Sequence, residues 1–139
     1  PHTPHVYTKD KFYLSDHRQD WITCTFFLTR KPIIDKVDGF DENYFMYGEE
    51  LELAYRIKNN TPNNQVWYLV GPQIIHLGGA SATSKIDPIL NEFHGILSFF
   101  KKHRPAWQYP LVRLMLKINA FIRAVIHFSP IYFQVCSKI

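Results

Sequence analysis

Stretches of strand composition alternate with stretches of helical period along this chain, and that interleaving confines it to an α/β architecture. Residues 21–29, WITCTFFLT, are rich in aromatic and β-branched types and read as a buried strand, closed by Arg30 and Lys31. Pro32 stands where a helix begins, and PIIDKV supplies a turn or two of helix before the turn signal Asp38-Gly39. From Gly48 onward ELELAYRIKNN puts acids in the first turn and Arg56 and Lys58 toward the end, the polarity a helix dipole favours. NNTPNN, residues 59–64, is a surface loop, QVWYLV (65–70) a strand, and QIIHL, after the Gly71-Pro72 break, a short second strand. Beyond Asp87-Pro88, apolar residues at 89, 90, 93, 96, 97, 99 and 100 keep helical spacing; Gly95 weakens that helix without forbidding it.

The last element, PLVRLMLKINAFIRAVIHF (110–128), is amphipathic. Leu111, Leu114, Ile118, Phe121, Ile122, Val125 and Phe128 share one face, and Arg113, Lys117, Asn119, Arg123 and His127 fall on the other. A bilayer span needs about 20 mostly apolar residues, and each Arg or Lys near the midplane costs about 2.5 to 3.5 kcal/mol. Three such residues exclude a span and leave two readings: a helix lying in an anionic membrane interface, or one packed on the rest of the protein.

Charge divides along the chain. Residues 1–83 carry 8 Lys or Arg against 10 Asp or Glu, a net of −2, whereas residues 84–139 carry 8 against 2, a net of +6. The basic half suits an anionic membrane or nucleic acid, but no recognised basic-aromatic motif supports a nucleic-acid binder, and none is expected as a partner. Cys24 and Cys136 stand alone, which excludes a CxxC pair or a Cys-rich zinc site and fits a reduced, cytoplasmic setting. The 139 residues suit one compact domain, and 16% aromatic content is enough to line a pocket for a ring-shaped ligand. The opening PHTPHVYTKDKFYLSDHRQ reads as an extended polar lead-in, as in a chain that begins partway through a larger protein.

Asp20-Trp21 and the stretch to Arg30, then VDGFDENYFMYGEELELAYR and IIHLGGAS, together resemble the C-terminal half of inverting glycosyltransferases of family 2, in particular bacterial rhamnosyltransferase-like members. The resemblance covers roughly residues 20–104. Members typically run a Trp-led strand, a Gly-Phe-Asp-Glu turn, a Phe-Met-Tyr segment, an acidic pair opening a helix, and a later His with Gly-Gly, in that order. It implies a partial GT-A (nucleotide-diphospho-sugar transferase) fold: a lead-in over 1–19, an acceptor-side half over 20–105, and an amphipathic helix and tail over 106–139. The Asp-x-Asp motif and nucleotide-binding elements of the family lie in its N-terminal half and are absent here, so this chain alone is expected to be inactive.

The resemblance also implies roles. The second member of the acidic pair, Glu50, takes the place of the general base, where the family more often has Asp. Trp21 and Tyr47 are the candidates for stacking on sugar faces, with Asp41 and Glu49 as acceptor-side contacts. His76 with Gly78 and Gly79 would help hold the donor diphosphate or its Mn²⁺ or Mg²⁺. The complete enzyme would take a nucleotide-diphosphate sugar as donor and a glycan or lipid-linked hydroxyl as acceptor, building surface polysaccharide at the inner face of the plasma membrane. The amphipathic pattern of 110–128, outside the resemblance, leaves both an anionic membrane surface and the rest of the protein open as what that helix packs on.

Structural readings stand beside these. Acids are commonplace in first helical turns, Glu52 is explained by its i, i+4 spacing to Arg56, and Trp67 within QVWYLV suits a core. Another class of function, a non-catalytic binding or membrane-docking module on the same fold, fits the sequence as well.

Overall fold

The computed structural model describes residues 14–60, 63–76 and 86–139. It divides into two units, Pro1–Asp41 with Glu50–Ala80, and Glu42–Glu49 with Ser81–Ile139.

In the first unit, β1 (His17–Gln19) pairs antiparallel with β2 (Val66–Tyr68), in the register His17 to Tyr68, Arg18 to Trp67 and Gln19 to Val66. Two of these three cross-strand pairs make ring contacts: the His17 and Tyr68 rings are 5.2 Å apart, and the Arg18 guanidinium lies 5.7 Å from the centre of the Trp67 ring. α1 (Lys31–Lys36) opens with Pro32, whose missing N–H is not needed in a first turn. It closes in a Schellman arrangement, with Gly39 N–H donating to Ile34 O at 3.1 Å and Asp38 N–H to Asp35 O at 3.3 Å. Asp38 adopts the left-handed conformation there, φ 59°. α2 (Glu49–Asn60) turns Leu53 and Ile57 onto Val37, and Phe27, Ile33 and Ile34 complete this cluster. Each large aliphatic side chain buried in it stabilises the fold by about 1.5 to 3 kcal/mol.

Two expected strands do not form. Residues 21–29 hold a single 3₁₀ turn, Cys24–Phe26, and Leu28 is 90% exposed. Residues 73–76 are irregular, with Ile75 also 90% exposed, and Leu77 lies outside the described residues. Aromatic and β-branched content favours a strand only where a neighbour supplies ladder hydrogen bonds and a covering face. Among the described residues neither segment has such a neighbour. Trp67 is likewise 45% exposed, its ring on the sheet surface under Arg18, where a core position was one reading.

The second unit is helical: α3 (Asp87–His103), α4 (Gln108–Ile126) and α5 (Pro130–Lys138). Asp87 in the first turn of α3 and Lys101, Lys102 and His103 in its last complement the helix dipole. Phe93, Ala120, Val135 and Ile139 form the core where the three helices meet, with Leu116 and Cys136 packed beside them. Ala120 and Ala124 have no exposure, so small residues let α4 approach its neighbours closely. α4 starts two residues before the expected Pro110 and stops two before Phe128. α5, expected only as tail, is a helix opened by Pro130. Among the described residues no helix is long and apolar enough to cross a membrane.

Candidate functional site

The acidic stretch 39–56 is organised by two devices, one in each unit. In the first, Glu52 is fully buried on α2 and accepts from Arg56 Nε at 2.7 Å. The same guanidinium donates through Nη1 to the Val37 carbonyl and through Nη2 to the Gly39 carbonyl, the latter at 2.7 Å. Arg56 thus ties the Asp38-Gly39 turn onto α2, with three donors of its fork matched to three oxygens. The i, i+4 spacing accounts for Glu52 as a structural residue, and its burial makes that pair far more consequential than a surface one.

In the second unit, residues 42–49 lie along α3 through a contact between two glycines. A Cβ on Gly95 would land on the Tyr47 carbonyl oxygen, and one on Gly48 would sit 3.1 Å from Gly95 Cα. Gly95, which costs α3 helix propensity, is therefore the position at which backbone meets backbone. Tyr47 and Gly48 are both left-handed, at φ 71° and 95°. For Tyr47 that conformation costs about 1 to 2 kcal/mol, the kind of strain that persists where surroundings over-determine it and that clusters at functional sites. α2 begins at the next residue.

Glu49 and Glu50 thus open α2 directly after a constrained turn. Both are half-buried, and each has its Oε2 removed from solvent; that of Glu49 has no hydrogen-bond partner. Tyr44, within the Glu42–Glu49 segment, is buried, while Phe45 points into solvent.

The other predicted positions are distributed as follows. Asp41 is half-buried after the Gly39 turn, Tyr47 is half-buried in the left-handed step, and Trp21 is exposed. His76 is exposed at the end of the irregular stretch after β2, and Gly78 and Gly79 lie outside the described residues. Among the described residues no group of three or more His, Cys, Asp or Glu converges as a metal site. Mn²⁺ and Mg²⁺ take oxygen ligands, and among the described residues no carboxylate group of that kind gathers around His76.

Two cavities open elsewhere, and Glu50 lines neither. One of 420 Å³ in the first unit is bordered by Arg18, Asp20, Lys58 and Gln65. There Lys58 Nζ lies 2.7 Å from Asp20 Oδ1, and its hydrogen bond and charge hold that exposed carboxyl below its ordinary value. The other, of 320 Å³ in the second unit, is bordered by His94, Ser98, Lys101, Tyr109, Arg113 and Lys138, and Arg113 Nε already donates to the Ile139 carbonyl at 2.5 Å.

Sequence reasoning missed the pairing of Gly48 with Gly95 and the reach of Arg56 to the turn carbonyls. The first had a signal, an isolated glycine inside a strong helical pattern. The second had none, because the partners are backbone atoms seventeen and nineteen residues away.

No family model and no solved structure matches the chain. Among curated proteins it is similar to Rhamnosyltransferase WbbL of Escherichia coli (strain K12), with 41% identity over 49 residues, which is 35% of this chain and 18% of the relative's length. Over that limited stretch the chain is glycosyltransferase-like.

Proposed function

We propose that this chain is the acceptor-side part of an inverting glycosyltransferase of GT-A type, with Glu50 as its general base. Inversion requires a carboxylate to take the proton of an acceptor hydroxyl while that oxygen attacks the anomeric carbon, opposite the departing nucleotide diphosphate. What supports Glu50 is its placement: half-buried with one carboxylate oxygen out of solvent, in the first turn of a helix that starts directly after the left-handed Tyr47-Gly48 step. A base held this way has a defined direction, which proton transfer in a transition state demands. The partial similarity to a rhamnosyltransferase supports sugar transfer as the class. In this reading Asp41, Glu49 and Tyr47 border the acceptor hydroxyl and Trp21 stacks on a sugar face. The donor diphosphate and its Mn²⁺ or Mg²⁺ are held by elements that this chain does not contain, with His76, Gly78 and Gly79 contributing from its side. The acceptor is a glycan or a lipid-linked saccharide.

The test joins the chain to a nucleotide-sugar-binding half and compares it with Glu50→Gln. Loss of a general base lowers transfer by about 100- to 10,000-fold, and donor affinity stays unchanged. Undiminished turnover in the Gln variant removes Glu50 from the mechanism.

A further inference from the structure

The amphipathic helix does not bury its apolar face. Leu111, Leu114, Met115, Ile118, Ile122 and Val125 lie within about 100° of the α4 surface, and all are between 48% and 60% exposed. The side that packs on α3 and α5 is the other one, carrying Ala120 and Ala124. Phe121 extends the apolar surface onto α5 through an edge contact with Phe133, ring centres 6.4 Å apart, and both rings are half exposed.

The two ends of this stripe carry exposed rings. Trp107 precedes α4 and is 66% exposed. Phe128 follows it and is 91% exposed, in the left-handed conformation at φ 45°. It occupies the C′ position of a Schellman arrangement, Ser129 N–H donating to Ala124 O at 3.0 Å and Phe128 N–H to Val125 O at 3.4 Å. Glycine is the residue that position prefers. A phenylalanine there carries backbone strain while its ring gains almost nothing from the rest of the chain, so the ring's benefit lies outside it.

Charge identifies the outside partner. Residues 93–139 contain seven Lys or Arg and no Asp or Glu. Lys117 and Arg123 fall to either side of the stripe on α4, where long stems can lie along apolar material and keep their charges in a polar layer. An apolar stripe of helical length, bounded by aromatic rings and flanked by cations without a carboxylate, matches the interface of an anionic bilayer.

We infer that α4 lies in the interface of an anionic membrane, with the Leu111–Val125 stripe, Trp107 and Phe128 toward the acyl chains and the cations among the headgroups. This docking is independent of the catalytic role assigned to Glu50, and its assay contains no transfer step.

The 139-residue chain is mixed with vesicles of phosphatidylcholine, with and without phosphatidylglycerol, and binding is read by co-sedimentation and by Trp emission. Binding is expected to anionic vesicles, with a blue shift that Trp107→Phe removes. It weakens as the Debye length falls from about 10 Å at 0.1 M salt to about 3 Å at 1 M. The double variant Ile118→Ser, Ile122→Ser alters only exposed positions and should melt like the parent, yet lose binding by about 30-fold. No binding to either vesicle, or equal binding to both without salt dependence, overturns the proposal. So does a chain that self-associates through the stripe, seen in light scattering as an oligomer that the double variant dissolves and that vesicles do not.

Discussion

Replacing Gly95 by Ala sets two effects of opposite sign against each other. Alanine is favoured over glycine inside a helix by about 1 kcal/mol, so on propensity alone Gly95→Ala should raise the melting temperature. The added Cβ, however, would fall on the Tyr47 carbonyl oxygen, 3.0 Å from its carbonyl carbon and 3.4 Å from Gly48 Cα. These are backbone atoms, which no rotamer change can withdraw. Either residues 42–49 lift off α3, or α3 bends. Overpacking of this kind costs about 1 to 3 kcal/mol, and a clash with main chain belongs at the upper end, leaving a net loss of about 2 kcal/mol after the propensity gain. At about 4 °C per kcal/mol for a chain of this size, the midpoint in a far-ultraviolet circular dichroism melt should fall by about 8 °C. Ser98→Ala, on the exposed side of the same helix, isolates propensity and should raise the midpoint slightly. Gly48→Ala should also destabilise, because its φ of 95° disfavours any side chain and its Cβ would meet Gly95. The two substitutions should be non-additive by about 0.5 to 3 kcal/mol, since opening the gap for one makes room for the other. A Gly95→Ala protein that melts at or above the parent temperature would refute the glycine contact.

Two further outcomes follow from the first unit. Glu52→Ala leaves the partly buried Arg56 guanidinium without its anion and should cost about 3 to 5 kcal/mol in urea denaturation; Glu52→Gln, which keeps an acceptor for Arg56 Nε, should cost less, and equal losses would show that the charge rather than the hydrogen bond decides. Asp20 should titrate below its ordinary 3.8, because Lys58 hydrogen-bonds and attracts its carboxylate. A depressed carboxyl pKa contributes stability that is fully present above the unfolded value, so the contribution starts to fall as pH drops below about 4 and is gone only once pH is below the folded value. Carboxyl chemical shifts should move Asp20 back up in Lys58→Met; an unshifted Asp20 in the parent would dismiss the ion pair.

Helices were legible where local rules suffice. Pro32 and Pro88 each stand in a first turn, α2 follows the charge polarity and α3 the apolar spacing read from the sequence, whereas α5, opened by Pro130, was expected only as tail. Strands were less so. Residues 65–70 read as a strand and three of them pair, because His17–Gln19 supplies the partner. The composition of 21–29 is at least as strand-like and pairs with nothing among the described residues. Strand propensity is a statement about fitting beside another strand, and one chain segment cannot report whether that neighbour exists. The same separation holds for the candidate site. That Glu49 and Glu50 open a helix could be read from the pattern, whereas the left-handed Tyr47, the glycine on α3 and the burial of Glu52 arise from contacts between segments.

The amphipathic helix shows how far periodicity reaches. Its 3.6-residue pattern located an apolar face correctly, and the common inference from such a face is that it looks inward. Packing here follows size instead. Ala120 and Ala124 allow α4 to come close to α3 and α5, where Phe93 and Val135 fill the space, and larger residues on that side would hold the helices apart. The bulky aliphatics are then left on the surface of the unit. A chain whose surface served water alone would gain solubility by placing polar residues at Leu114, Ile118 and Ile122, at little cost to the core they do not touch. That apolar residues occupy these positions, with Phe128 held in a glycine conformation beside them, is what an external apolar phase would require of the same helix.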